Sequence, residues 1–124
     1  AVARIASSAC KRLAALDARE LGHDAPAPSE FNAYIGPHIC ASCFETGPDV
    51  AQRFASEIGP GCVPDARHVD LEQALILDFE SAGLSRERIA SAHACTKCEP
   101  DRFFSYRASG GVCGRHGALA FRSR

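Results

Sequence analysis

The same ligand-bearing pattern occurs twice in this sequence, as His38-Ile39-Cys40-Ala41-Ser42-Cys43 and as His93-Ala94-Cys95-Thr96-Lys97-Cys98. Two Cys-x-x-Cys pairs can supply four thiolates to a tetrahedral zinc ion. Cys40, Cys43, Cys95 and Cys98 are therefore candidate ligands of a structural zinc. Against this, residues 44–94 separate the pairs and read as helical rather than ribbon-like, and cysteine is a common small core residue. A redox pair needs its first cysteine at a helix N-terminus, where the dipole lowers the thiol pKa. Pro100 blocks an immediate helix after Cys98, which argues against thiol-disulfide catalysis.

The second pattern opens the densest stretch of chemistry in the chain, His93 to Arg107, which adds a proline-acid turn, the adjacent aromatics Phe103 and Phe104, the hydroxyl of Ser105 and the guanidinium of Arg107. Arg107 has two readings from the sequence. It can bind an anion bidentately at a sheet edge, or it can pair with Glu99 or Asp101. A nucleophile and base can be picked on paper from seven cysteines and five histidines, so that inventory assigns nothing. His68 and His116 read as capping or surface residues.

These groups must be held by a scaffold, and the periodicity describes one. Val2, Ile5, Ala9, Leu13 and Leu16 recur at helical spacing and predict an amphipathic helix from Val2 to Leu21, stopped at Gly22. Its Arg4, Lys11, Arg12 and Arg19 read as solvated helix charges. Pro26 and Pro28 make a loop, and Phe31–Ile35 alternates as a short strand ended by Gly36-Pro37. Pro48 opens a second helix with a buried stripe of Val50, Phe54 and Ile58. Asp70, three residues before Gln73, caps a third helix with a core face of Leu71, Leu75 and Phe79, closed by Gly83. Ile89–Ala94 reads as a buried strand, and Phe103–Arg107 with Ala118–Arg122 as a hairpin across Ser109-Gly110-Gly111. The order is that of an α/β (α+β) fold, a mixed sheet with helices packed on it.

Composition narrows the function classes. A 124-residue chain that is 46% hydrophobic and 23% charged has the length and composition of one ordinary globular domain, and one core is expected. A formal charge of −1 gives no field for nucleic acid or anionic lipid. No apolar run exceeds four residues, as at Ala74–Leu77 before Asp78, far short of the ~20 residues a membrane span needs. The amino end has neither an initiator Met nor a signal-peptide layout, as in a chain entered partway through. Seven cysteines are an odd count, which favours reduced, cytoplasmic thiols over a disulfide framework.

Four successive segments resemble one family. They are Asn32-Ala33-Tyr34-Ile35-Gly36-Pro37-His38-Ile39-Cys40, Phe44-Glu45-Thr46-Gly47, His68-Val69-Asp70-Leu71, and Cys95-Thr96-Lys97-Cys98 with Arg102-Phe103-Phe104-Ser105-Tyr106-Arg107. In order and spacing they are similar to signatures of the laccase-domain family, also called multicopper polyphenol oxidoreductases or peptidoglycan-editing factors. Gly114-Arg115-His116 departs from the Gly-Arg-Met usual there, and Cys113 is extra.

The resemblance implies a partial copy of that family's layered fold. It implies a carboxy-terminal portion whose metal-ligand half is absent, because the family's histidine, Ala-Asp-Cys and His-Ala-Gly-Trp-Arg-Gly segments do not occur here. The activities it brings are purine nucleoside phosphorolysis with adenosine deamination, an older laccase-type oxidation, and peptidoglycan editing. Zinc or copper would serve the complete domain, and none is expected in this chain alone. Phe104, Ser105 and Arg107 are the expected substrate-binding residues, for a nucleoside and phosphate, with no residue assigned as catalytic. Exposed strand edge is expected to drive self-association or pairing with the missing half. The competing class is a non-enzymatic binding module, stabilised by zinc on the two His-x-Cys-x-x-Cys motifs.

Overall fold

The computed structural model describes residues 3–22, 24 and 26–119. Helix α1 covers Ile5–Leu21, β1 Ala33–Ile35, α2 Pro48–Glu57, α3 Leu71–Ser81 and β2 Ile89–Ser91, with short 3-10 turns at Pro28–Glu30, Ala41–Cys43, Pro60–Cys62 and Arg86–Arg88. The α/β order expected from the sequence is present. The sheet among the described residues is a parallel pair, with Ala33 opposite Ile89 and Ile35 opposite Ser91. Among the described residues antiparallel pairing is confined to single bridges from His68 to Glu45 and to Asp65. Parallel pairing needs a long crossover, and α2 and α3 provide it.

The core has two parts, with α3 between them. Ala51, Phe54, Cys62, Val69 and Ala74 form one cluster, against which Leu71 and Leu77 pack. Cys10, Ala33 and Leu84 form the other, with Phe31, Phe79 and Ile89 against it. A helix packed on two sides has no single apolar stripe, which corrects the expected core face of α3. Leu71, Leu75 and Phe79 are half-buried, and the buried positions are Ala74, Ile76 and Asp78. In α2, Ala51 and Phe54 turn inward while Val50 is exposed and Ile58 half-buried. The α2 and α3 starts are as read: Pro48 occupies the first turn of α2, and the Asp70 side chain accepts the Gln73 amide N–H at 2.9 Å.

Helix α1 differs most in orientation. Ala6, Ser7 and Cys10 face the core, while Ile5, Leu13 and Leu16 of the expected stripe are exposed. Val2, the first residue of that stripe, lies outside the described residues. The cause is an anchor at the helix start. Asp78 on α3, 1% exposed, accepts the Ser7 amide N–H at 3.1 Å and the Arg4 Nε–H at 3.1 Å. Arg4 is thus a specific partner of a buried carboxylate and not a solvated helix charge. Gly22, with φ of 68°, ends the helix and donates to the Ala18 carbonyl.

The expected strand Phe103–Arg107 is absent. That segment coils through consecutive turns, with the Phe103 amide on the Glu99 carbonyl and the Ser109 amide on the Ser105 carbonyl, both at 3.0 Å. Backbone groups satisfied within turns are not available to a ladder. Of the expected partner strand, Ala118 and Leu119 are irregular and exposed, and residues 120–122 lie outside the described residues. Of the expected strand Ile89–Ala94 only Ile89–Ser91 is regular strand, with single backbone hydrogen bonds beyond it, and it is half-buried to exposed. Among the described residues no helix is long and apolar enough to cross a membrane.

Candidate functional site

Both repeated motifs begin just beyond the carboxyl ends of the parallel strands. The pairing continues past β1 and β2, with the His38 amide on the Ala94 carbonyl at 3.0 Å and the Thr96 amide on the His38 carbonyl at 2.9 Å. Chain segments held in parallel register bring equivalent positions of the two motifs side by side. The Sγ atoms of Cys40, Cys43, Cys95 and Cys98 all lie within 4.8 Å of one another, with Cys43 and Cys98 at 3.5 Å. All seven cysteines are free thiols.

The cluster polarises its own sulfurs. The Cys40 amide donates to Cys95 Sγ at 3.3 Å. Burial acts to raise the Cys95 pKa, but the amides of Cys40 and Cys98, then the Cys40 thiol and the Lys97 amide, outweigh it and bring it down to about 6. Cys98, hydrogen-bonded to Cys43 and then to Cys95, is pushed up to about 12. These opposed shifts belong to the cluster as a whole, a set of thiols close enough to share protons.

Above the sulfurs lies a cleft of about 450 Å³ lined by His38, Ser42, Asp70, Glu72, His93 and Cys95 among others. Glu72, in the first turn of α3, is its centre. His38 Nε2 lies 3.4 Å from Glu72 Oε2, His93 Nδ1 lies 3.2 Å from Oε1, and the Ser91 hydroxyl donates to Oε2 at 2.6 Å. His38 Nδ1 is 3.0 Å from the Gly36 carbonyl, an acceptor only, so Nδ1 holds the proton of the neutral ring. Nε2 facing the carboxylate then carries a proton only as imidazolium. Such a group can hold a proton and release it to a bound molecule. His93 has a left-handed backbone, φ 47°, uncommon for a residue other than glycine.

The sequence pointed to His38 and His93 but not to Glu72, which lies in the first turn of a helix with nothing in its local pattern to mark it. Phe104, Ser105 and Arg107 are not brought together. Phe104 and Ser105 line a separate cleft of about 340 Å³ with Phe103, Cys113 and Gly114. Arg107 pairs with neither Glu99 nor Asp101. Its Nη1 donates to the Glu45 carbonyl at 2.8 Å and its guanidinium lies 5.3 Å from the centre of the Phe44 ring. Glu99 instead binds Arg102. His116 Nε2 lies 2.9 Å from the Phe104 carbonyl, so it pins the last segment.

A short parallel sheet flanked by helices, with two histidines, a glutamate and clustered thiols beyond its carboxyl end, defines this chain as part of a layered α/β domain. The family profile described as multi-copper polyphenol oxidoreductase laccase matches residues 2–123, and the chain belongs to this laccase-domain family. It is 28% identical over 111 residues to "Adenosine deaminase RL5" from an unknown prokaryotic organism, covering 84% of this chain and 42% of the relative. It is 31% identical over 105 residues to "Purine nucleoside phosphorylase YlmD" of Geobacillus stearothermophilus, covering 79% and 38%. The crystal structure of the latter superposes with a TM-score of 0.71 at 24% identity, over 91% of this chain and 42% of that one. Bacillus licheniformis hypothetical protein YfiH gives 0.71 at 22% identity, over 89% and 41%. The chain thus spans about two-fifths of the length of these relatives and is a partial copy of their fold. A match over residues 2–123 places the paired thiols inside a laccase-type domain, which does not favour a free-standing binding module.

The family description names copper. Among the described residues the four-cysteine cluster is the group of three or more ligand side chains close enough to share an ion. Four thiolates close a tetrahedral coordination sphere and leave no open position, so this set does not fit a catalytic metal centre.

Proposed function

We propose that this chain is one part of a purine nucleoside phosphorylase with adenosine deaminase activity, built on the laccase-type domain and located in the cytoplasm. The carrying observation is the match of nearly the whole chain to that family, with relatives bearing these two names. In this reading zinc or copper serves the complete domain on ligands outside this chain, and the chain alone is inactive. The rest of the domain docks on the apolar ridge of α1, Ile5, Leu13 and Leu16, beside Tyr34, which is 82% exposed on the open edge of β1. Self-association of the chain is the competing use of the same surface.

Phosphorolysis breaks the bond between the purine and C1′ of the sugar while a phosphate oxygen bonds to C1′, and the departing base needs a proton. His38, held against Glu72, supplies that proton, and His93 holds the other carboxylate oxygen. Stabilising a leaving group in this way contributes roughly 10²–10⁴-fold to rate. Phe104 and the Ser105 hydroxyl line their own cleft and take no part in the proton transfer at His38. The Arg107 donors not used on Glu45 suit phosphate.

The test supplies the amino-terminal portion of the Geobacillus stearothermophilus phosphorylase as a separate polypeptide and follows free base and ribose 1-phosphate from inosine. Release that requires both polypeptides and inorganic phosphate, and that falls at least about tenfold with Glu72→Gln, is the expected result. Phosphate-independent release, full activity of the Glu72→Gln pair, or no activity from a complex shown to have formed would overturn the reading.

A further inference from the structure

We infer that Cys40, Cys43, Cys95 and Cys98 form a structural zinc site that ties the carboxyl ends of the two parallel strands together. Four Sγ atoms on zinc arms of about 2.3 Å lie about 3.8 Å apart in a tetrahedron. The sulfurs here all fall within 4.8 Å, and Cys43 and Cys98 are at 3.5 Å, too far for a disulfide and close to the spacing around a shared ion. Two independent loops present them. Cys40 enters a 3-10 turn in which the Cys43 amide bonds the Cys40 carbonyl at 3.0 Å, and after Cys95 the Glu99 amide bonds the Cys95 carbonyl at 3.1 Å. Each turn holds its pair of sulfurs on one side.

The cluster is also prepared for negative charge. The Cys40 amide already points at Cys95 Sγ, and the Ser42 hydroxyl lies 3.3 Å from Cys40 Sγ. Amide donors around sulfur are the outer contacts that fix thiolate ligands and offset their charge. Three of the cysteines are half-buried and Cys98 is exposed, which leaves a path for the ion. Binding Zn²⁺ replaces the thiol protons, up to four per ion, and forms four Zn–S bonds with no change in oxidation state.

The ion has a task that the sheet alone performs weakly. Strands β1 and β2 are three residues each, and the groups facing Glu72 sit directly beyond them, His38 before Cys40 and His93 before Cys95. A zinc holding one pair from each strand end fixes the distance between these imidazoles. It acts as a positioning element and touches no substrate. The inference does not rest on the proposed enzymatic activity.

The experiment measures zinc per chain on protein grown with zinc and purified without chelator, and titrates the reduced metal-free chain with cobalt(II). About one zinc per chain is expected, with sulfur-to-cobalt charge-transfer bands and intense visible bands of tetrahedral thiolate coordination. Cys43→Ser with Cys98→Ser should lower zinc content at least about tenfold, and Cys113→Ser should retain it. The wild-type cobalt spectrum needs no variant to fold. Absence of these bands in the reduced chain, a Cys43–Cys98 disulfide in place of metal, or full zinc retention by the double variant would overturn the site.

Discussion

Replacing Asp78 should destabilise this chain more than any other single change on α3. Its carboxylate does two things at the start of α1. It accepts the Ser7 amide N–H, one of the first-turn donors that have no partner inside the helix, and it places negative charge at the positive end of the helix dipole, where α1 has no acidic residue of its own. Asp78→Ala leaves the buried Ser7 donor unpaired, at about 1–3 kcal/mol. It also breaks the pair with Arg4, but that side chain is 45% exposed and can turn to water, so this part adds only about 1 kcal/mol. The total is about 2–4 kcal/mol, against the ~5–15 kcal/mol of a typical domain. For a chain of this size about 4 °C of Tm accompanies each kcal/mol, so a fall of about 8–16 °C is expected. Urea unfolding followed by far-ultraviolet circular dichroism reads the free energy, and a thermal scan reads Tm. Asp78→Asn keeps an acceptor oxygen and should fall between the parent and Asp78→Ala. Asp78→Ala within about 0.5 kcal/mol of the parent would refute the claim that this carboxylate anchors α1.

Asp70→Ala removes the α3 cap on the Gln73 amide and should cost about 1 kcal/mol in the same urea assay, with no loss indicating that the cap is dispensable. Asp65 is held below the usual carboxylate range by the Arg67 amide and then by the His68 ring and amide. Because its folded pKa is the lower one, whatever it adds to stability is present above the ordinary aspartate range and is lost as pH falls through the lowered value. An NMR titration should place the Asp65 midpoint below that of an unstructured aspartate, and a midpoint at or above it would contradict the assignment. At Gly114 a Cβ would lie 2.6 Å from the Phe104 ring. Gly114→Ala should therefore shift the Phe104 and His116 ring resonances, and an unchanged spectrum would mean that the last segment is not packed there.

The sequence was most legible where one local signal determines one local structure. Pro48 and Asp70 started helices, Gly22 ended one, and the Asn32–Cys40 and Cys95–Arg107 segments carried the family. It was least legible where an element has two neighbours. The stripe Ile5, Leu13 and Leu16 is a fair periodic signal, yet a tertiary ion pair to Asp78 turns the opposite face of α1 inward. Asp78 itself reads as an interruption of an apolar run and is in fact the anchor. Phe103–Arg107 has strand composition, and turns that satisfy its backbone internally override that preference. Glu72 carries no local mark at all, because its role depends on His38 and His93 from two other elements.

The separation between the two thiol pairs, which argued against a shared metal in the sequence, is what the fold uses to unite them. Strand pairing sets Ala33 opposite Ile89 and Ile35 opposite Ser91, and the bridge beyond sets His38 opposite Cys95. The shift from the first strand to the second nearly equals the shift from the first His-x-Cys-x-x-Cys to the second. An antiparallel pairing would place equivalent residues of a repeated motif at opposite ends of the ladder, whereas a parallel one places them together at the same end. A repeated pattern separated by a helical crossover is therefore not evidence against convergence when each copy follows a strand. It is the arrangement expected if the crossover carries α2 and α3 over the sheet and returns the chain in register, with the thiols below and the imidazoles facing Glu72 above.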